Sequence, residues 1–504
     1  MKFDVYFNTD LFVGREEEKK IWEKILEEKE RSTRFLEFTG IAGQGKTELL
    51  KYFYSTTKKQ TKCLAAYIDL EQAKFYRPEI YPIIKEIAGF FSGNIETYAL
   101  SLKLDDKLLI YIEELRVYQQ GLWGDPETAD RNSIDRKEKE LIQDFIAGLG
   151  ELLSEYKIVL CFDSTECAYP AALQQLEDQI LQVFIDNKNL IVVFAGHQRW
   201  GWTNRKVRRQ VNRNRHHLEP LSREASGELI ARLLNQEELA PEDKEYLLDK
   251  MWQLTLGHPY SSYKFLDFLS ESFSKSLTNK IIEEHYSRSI EELVSKIVKN
   301  RVLEGVELSP NYPPPEIILS YLAPLRRIEF STFHFILTRF LLDWFEDKPF
   351  LFFEELVAEF QTQTYIFTPW ILGAGFDVEE VTRNLLLSDL RINRKEKFIE
   401  IQNALIEQYD HWIEQTGDAS QIKNIIERLY HTSLLMTEEQ EGNITEKITG
   451  QLQEYVNRYF TEDYTGSDIR VRDQIDRLKN ALKRDKELQK MIDVTSLLKT
   501  IESI

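Results

Sequence analysis

What this sequence has little of narrows it first. Its 504 residues include three cysteines, Cys63, Cys161 and Cys167. Their spacing matches neither a metal-ligand set nor a disulfide framework, which suits a reducing compartment. There is no GxSxG and no HExxH, and Cys161 lies inside an apolar run, so serine, cysteine and zinc hydrolysis find no support. No apolar run approaches the length of a membrane span. The opening MKFDVYFNTDLF carries Asp4 and Asp10 and lacks a clean apolar stretch, so it does not read as a signal peptide. The expected setting is cytoplasmic, with no membrane. Positive charge is also in deficit. A formal net charge of −19 argues against the whole chain coating nucleic acid or an anionic surface.

What is present is enough apolar material for substantial cores. Hydrophobic residues make up 42% and aromatics 12%, which excludes global disorder. The length allows about three or four domains. The chain is organised around Arg34-Phe35-Leu36-Glu37-Phe38-Thr39, followed by GIAGQGKT from Gly40 to Thr47. An apolar-rich run, a glycine loop and then Glu48-Leu49-Leu50-Lys51-Tyr52 predict strand, loop and helix start, the context of a phosphate-binding loop. Gly40, Gly43 and Gly45 let the backbone curl with its amides inward, and the helix beginning near Lys46 adds the positive end of its dipole. Lys46 can reach β- and γ-phosphates, and the Thr47 hydroxyl can hold Mg²⁺. The candidate contacts to ATP or ADP are Gly40, Ala42, Gly43, Gln44, Gly45, Lys46, Thr47 and the adjoining Glu48. The absence of an Asn/Thr-Lys-x-Asp motif leans to adenine over guanine.

Around this loop the pattern predicts an α/β domain with a doubly wound parallel sheet. Leu11 to Arg15 reads as a short strand-like opening, followed by an amphipathic helix whose Ile21, Ile25 and Leu26 share a face. Cys63–Asp69, Lys157–Asp163 and Leu190–Gly196 are apolar runs; the last two do not alternate, as expected for strands buried on both faces. Between them, Tyr76 to Tyr156 is mostly helical with a polar break from Gly121 to Pro126. A helical lid follows, opening with Ser222 as N-cap. Four prolines between Pro310 and Pro315 mark a boundary. Beyond it, a Phe- and Trp-rich stretch of short helices and two strand segments expected within Leu390–Ile401 predict a winged-helix-like domain, and a charged helical tail closes the chain. The divisions are 1–218, 219–309, 310–412 and 413–504.

Several residues outside the loop carry chemistry. Asp163 ends its buried strand where an acid can join the Mg²⁺ shell, and Glu166 is placed to polarise an attacking water or to be a solvated loop acid. His197 and Arg199 follow the other buried strand and are both candidates to report a γ-phosphate; a packed His and a salt-bridged Arg are the plainer alternative. From Arg199 to Leu218 there are seven Arg or Lys residues and no acid. That run suits a solvated face, a nucleic-acid contact through residues 199–217, an arginine finger for a neighbouring subunit, or an acidic partner. Thr255-Leu256-Gly257-His258-Pro259-Tyr260 reads as a helix junction.

Taken in order, FVGREEE, GIAGQGKT, the strand ending in Asp163, AGHQR, LEPLS and GHP resemble the STAND class of P-loop ATPases, the AAA+-related group that includes NACHT and NB-ARC proteins. The resemblance covers residues 10 to 270 and, more weakly, the winged-helix region. It implies that Val13 and Arg15 lie by the adenine and that Pro259 packs on the base. The chain departs from the pattern at three places. Gly196-His197 stands where many members have Gly-Arg, Ile401-Gln402-Asn403 aligns with Met-His-Asp, and Asp163-Ser164 replaces paired acids. These departures imply slow hydrolysis and no histidine lock on ADP. The resemblance further implies a switch acting with a separate effector or sensor protein, open to homo- or hetero-oligomers, in a prokaryotic conflict or antiviral system. Two other readings stay open: a DNA-linked AAA+ ATPase such as an initiator or transposition regulator, and a scaffold that binds ATP without turnover.

Overall fold

The structure is a computed structural model. It describes residues 7, 12–27, 35–72, 80–98, 131–197, 199–234, 240–272, 277–364, 366–370, 375–416, 418–439, 443–461 and 469–502. The chain divides into two compact units, Met1–Glu284 and His285–Ile504.

The first unit is built on a parallel sheet of five strands: β1 (Phe35–Thr39), β2 (Cys63–Asp69), β3 (Lys157–Asp163), β4 (Leu190–Gly196) and β5 (Arg215–His217). Their spatial order is β2-β3-β4-β1-β5. The apolar runs become strands because both faces are covered by helices, so a continuous Val/Ile/Leu/Phe sequence is buried throughout. Phe162 of β3 and Phe194 of β4 stack at 5.2 Å across the middle. Helices α1 (Glu16–Glu27), α2 (Lys46–Lys58), α3 (Tyr81–Tyr98), α4 (Arg131–Glu155) and α5 (Pro170–Gln175) make up the first part of the unit. Trp22 of α1 is fully buried, stacked 4.3 Å from Phe53, with its Nε1 donating to Thr56 Oγ1. Replacing so buried an aromatic by alanine costs about 3–5 kcal/mol.

Two features differ from expectation. Residues 12–15 are not a strand: Gly14 and Arg15 have φ of 64° and 62°, and two consecutive left-handed residues break extended backbone. The fifth strand, Arg-His-His, carries no apolar signal. It pairs in parallel with β1, where it meets a buried acid: Arg215 Nε donates to Glu37 Oε2 at 2.5 Å, and the Trp200 amide donates to Oε1 at 2.8 Å. The polar break from Gly121 to Pro126 lies outside the described residues.

After β4 come α6 (Arg205–Asn212), then α7 (Arg223–Leu233), α8 (Pro241–Thr255), α9 (Pro259–Ser272) and α10 (Asn279–Leu293). Ser222 caps α7, its Oγ accepting from the Ala225 amide at 3.2 Å. The α8–α9 junction turns on Leu256 and Gly257, with φ of 53° and 77°. A Cβ on Gly257 would come within 2.4 Å of the Leu221 carbonyl, so only glycine fits there.

The second unit runs α11 (Pro315–Leu322), β6 (Ile328–Glu329), α12 (Phe330–Phe340), a single helical turn at Leu342–Phe345, α13 (Phe350–Gln363), β7 (Phe367–Pro369) and β8 (Gly375–Val378). The strands form an antiparallel sheet in the order β6-β8-β7. Helix, strand, two helices and a strand pair make a winged-helix-like domain. Its hairpin is not where the sequence placed it. Leu390–Ile401 is helical, spanning the end of α14 (Glu380–Asn393) and the start of α15 (Lys395–Gln415). Buried positions recur at three- and four-residue spacing, as at Leu386 and Leu390 and at Phe398, Ile401 and Leu405, while Ile392, which made the segment look alternating, is exposed. Gln402 sits mid-helix and accepts from His431 Nδ1 at 2.8 Å. The helical tail comprises α16 (Asp418–Glu438), α17 (Ile444–Val456), α18 (Ile469–Arg484), α19 (Lys486–Met491) and α20 (Val494–Glu502).

Candidate functional site

The loop between β1 and α2 curls through Gly43 and Gly45, whose φ angles of 84° and 89° lie in the left-handed region. Its carbonyls are engaged one after another. Lys46 Nζ donates to Gly40 O at 2.7 Å and Ile41 O at 2.9 Å. His258 Nε2 donates to Ala42 O at 2.9 Å, the Tyr260 amide to Gly43 O at 3.2 Å, and Arg15 Nη2 to Gln44 O at 2.6 Å. The tautomer of His258 follows from its other nitrogen, because Nδ1 accepts from the Ser261 amide. Every carbonyl from residue 40 to 44 is held, and the curl leads into the N-terminus of α2; of its amides, Gly40 donates to Gly196 O at 3.3 Å and Gln44 to Ile41 O at 3.2 Å. The Gln44 side chain is buried, and its Oε1 has no hydrogen-bond partner among the described residues.

Sheet order brings the acids to this loop. β4 lies between β1 and β3, with Thr39 opposite Gly196, so the residue after β4 falls between the loop and the end of β3. Asp163 accepts from Tyr67 Oη at 2.7 Å, from the Ser164 amide at 3.0 Å and from the Thr47 hydroxyl. It makes no ion pair among the described residues. Burial pushes its pKa up, and those hydrogen bonds oppose the shift. Burial also raises Glu166, against the pull of Lys46 and of the His197 amide, which donates to Glu166 Oε2 at 3.0 Å. The His197 ring closes on the same carboxylate, Nε2 to Oε1 at 3.3 Å. Lys46, Thr47, Asp163, Glu166 and His197 thus form one cluster.

No family model matches this sequence, and no curated protein does. Among solved structures, Cdc6p from Pyrobaculum aerophilum is 14% identical, and the superposition covers 78% of this chain and 96% of that one with a TM-score of 0.38. Orc1 from Aeropyrum pernix, solved in complex with DNA, is 13% identical over 76% and 95%, with a TM-score of 0.36. The RuvB Holliday junction branch migration motor of Thermotoga maritima is 16% identical over 74% and 95%, with a TM-score of 0.33. At those scores the likeness carries no weight for this chain, whose site stands on its own geometry.

Other sequence candidates fall elsewhere. Glu48 points to solvent and pairs with Lys51 at 2.9 Å. Arg199 is exposed. Val13 is buried, and the Arg15 guanidinium holds two main-chain carbonyls, Gln44 O and Glu219 O. Pro259 opens α9 at the junction that carries His258. Within the basic run, Arg215 is tied to Glu37, whereas Arg205, Lys206, Arg208, Arg209 and Arg213 are exposed on or beside α6.

Two contributors escaped the sequence reading. Tyr67 looked like one more aromatic in an apolar strand, yet its hydroxyl reaches Asp163 across the β2–β3 pairing. His258 lies 216 residues from the carbonyl it holds. No spacing rule spans that separation; the one local hint was a histidine between Gly257 and Pro259.

Proposed function

We propose that this chain is a Mg–ATP-dependent molecular switch with slow hydrolysis, of the STAND type. The observation that supports this reading is the loop whose carbonyls are each hydrogen-bonded, beside a lysine, a threonine hydroxyl and a buried carboxylate that makes no ion pair among the described residues. The residues fit a nucleotide phosphate with Mg²⁺. Among the described residues no three His, Cys, Asp or Glu side chains cluster to hold a metal by themselves, and Mg²⁺ in such sites is completed by phosphate oxygens. Thr47 and Asp163 would hold the ion, and Lys46 would bind the β- and γ-phosphates. A bound Mg²⁺ supplies charge neutralisation at the transferring phosphoryl group. Glu166, held by His197, would orient the attacking water, and His197 would report the γ-phosphate. Because His258 and Tyr260 attach the 219–309 segment to the loop, loop and lid helices respond together, and that response recruits or releases a separate effector or sensor protein, in a conflict or antiviral setting.

The test is nucleotide content and turnover of the purified chain beside Lys46→Ala, with and without DNA. Bound ATP or ADP that is lost in the variant, with slow turnover indifferent to DNA, is the expected result. Failure of both proteins to bind added ATP overturns it. Tight retention of ATP with no turnover would make the chain a scaffold. A second reading, a DNA-linked ATPase, draws on the exposed cations of α6; it requires DNA-stimulated turnover that falls in the triple variant Arg205→Ala, Arg208→Ala, Arg209→Ala.

A further inference from the structure

The second unit presents an apolar groove that the nucleotide reading does not use. Ser331, Phe335 and Thr338 of α12 line its floor on one helical face, and Leu342 continues the row; Phe350 and Trp412 form its sides. It encloses about 600 Å³. Two of its lining residues are open apolar side chains, Leu342 at 51% and Phe350 at 49% exposure, and the neighbouring Trp344 and Leu351 are exposed at 37% and 60%. Four large apolar side chains this open within ten residues exceed the scattered exposure of an ordinary surface.

Charge narrows the occupant. From Asp343 to Glu355 the exposed charged residues are five acids, Asp343, Glu346, Asp347, Glu354 and Glu355, against Lys348 alone. Arg339 is the single charged residue in the lining. In the order of a winged-helix-like domain, α13 is the helix that a DNA reader lays in the major groove. Here α13 carries Glu354, Glu355 and Glu359 and neither Arg nor Lys, so it repels phosphate. A second copy docked symmetrically would set these acids against themselves.

Shape narrows it further. The floor runs from Ser331 to Leu342, about 16 Å at helical rise, and its walls are helices with no free strand edge. We propose that this groove docks an amphipathic helix of a partner protein, with apolar residues seated against Leu342, Phe350 and Trp412 and with Lys or Arg on its flanks. This is helix-in-groove recognition, read by anchors one turn apart. It does not depend on the nucleotide site.

A photo-crosslinking phenylalanine analogue at position 350 of the full chain, in its own cells, tests this, with the captured peptide sequenced by mass spectrometry. Phe350 packs on Phe330 at 5.8 Å, so Leu351 is the second labelling position, and Tyr169, exposed in the first unit, is the control. The expected product is an apolar segment of another polypeptide flanked by Lys or Arg, with a yield that falls about fivefold or more when Glu354→Lys and Glu355→Lys are added. The same product is expected with Lys46→Ala. Capture of this same chain, of nucleic acid, or of a segment without basic flanks overturns the proposal. So does a yield at 350 and 351 no higher than at 169.

Discussion

Two buried charge clusters, one in each unit, are built on opposite principles. In the second unit, Arg326 is closed on all sides. It meets Glu427 through two bonds of 3.0 and 3.1 Å, meets Asp485 at 2.5 Å, and lies 4.2 Å over the Tyr430 ring. The acids hold its pKa above the ordinary arginine value despite desolvation. In the first unit, Asp163 is as deeply buried but, among the described residues, has hydroxyls and an amide for partners and no ion pair, and burial raises its pKa. Burying an ion is unfavourable unless it is paired. The arginine cluster is therefore complete and structural, whereas Asp163 has no ion pair among the described residues and burial raises its pKa.

The sharpest way to break this contrast is Arg326→Met. Buried Glu427 and partly buried Asp485 lose their partner, and the second unit should lose about 3–5 kcal/mol, read as a lowered urea midpoint by circular dichroism. Gly43→Ala comes next. Its Cβ would meet His258 Cε1 at 2.7 Å and Tyr260 Cβ at 2.9 Å in a left-handed conformation. That strain should cost about 1–3 kcal/mol and weaken ATP binding roughly tenfold or more, measured by titration calorimetry. An unchanged affinity would mean that the loop reshapes freely and the held carbonyls do not matter.

Asp163→Asn should have the opposite sign to Arg326→Met. The raised pKa means that the folded state keeps a proton that the unfolded chain releases. The associated stability is full below the ordinary aspartate pKa and is lost as pH rises through the raised one. Removing the charge should therefore leave the ligand-free melting temperature at neutral pH unchanged or higher, while abolishing the Mg²⁺ dependence of ATP affinity. In the wild type, Mg²⁺-dependent affinity should grow with pH over a window above the ordinary carboxylate range. A lower melting temperature for the variant would make Asp163 an ordinary structural acid.

The smallest effect is expected for Tyr67→Phe. Loss of one hydrogen bond should alter stability by about 1 kcal/mol. Because that bond lowers the Asp163 pKa, its removal should move the Mg²⁺-affinity window to higher pH. A window that stays in place would show that Tyr67 only fills space.

Much of the first unit was legible because its signals are local. Gly43 and Gly45 need φ that few residues adopt, and β4 and the Ile158–Phe162 part of β3 are continuous apolar runs because both faces are covered. Asp163 stood out as the acid that ends such a run. The winged-helix-like domain was legible as a type, but its hairpin was misplaced: alternation around Ile392 imitated a strand, and the true strands β7 and β8 are short and aromatic. The basic run looked uniform from Arg199 onward, yet Glu37, far off in the chain, claims Arg215.

The sequence by itself determined the glycine loop between strand and helix and the buried parallel strands, since residue type and near-neighbour spacing decide both. Only the tertiary structure decided that β4 would lie between β1 and β3, that Tyr67 would meet Asp163 and that His258 would hold Ala42. These are contacts between segments distant in the chain, set by how the sheet and helices close on one another, and no local period encodes them.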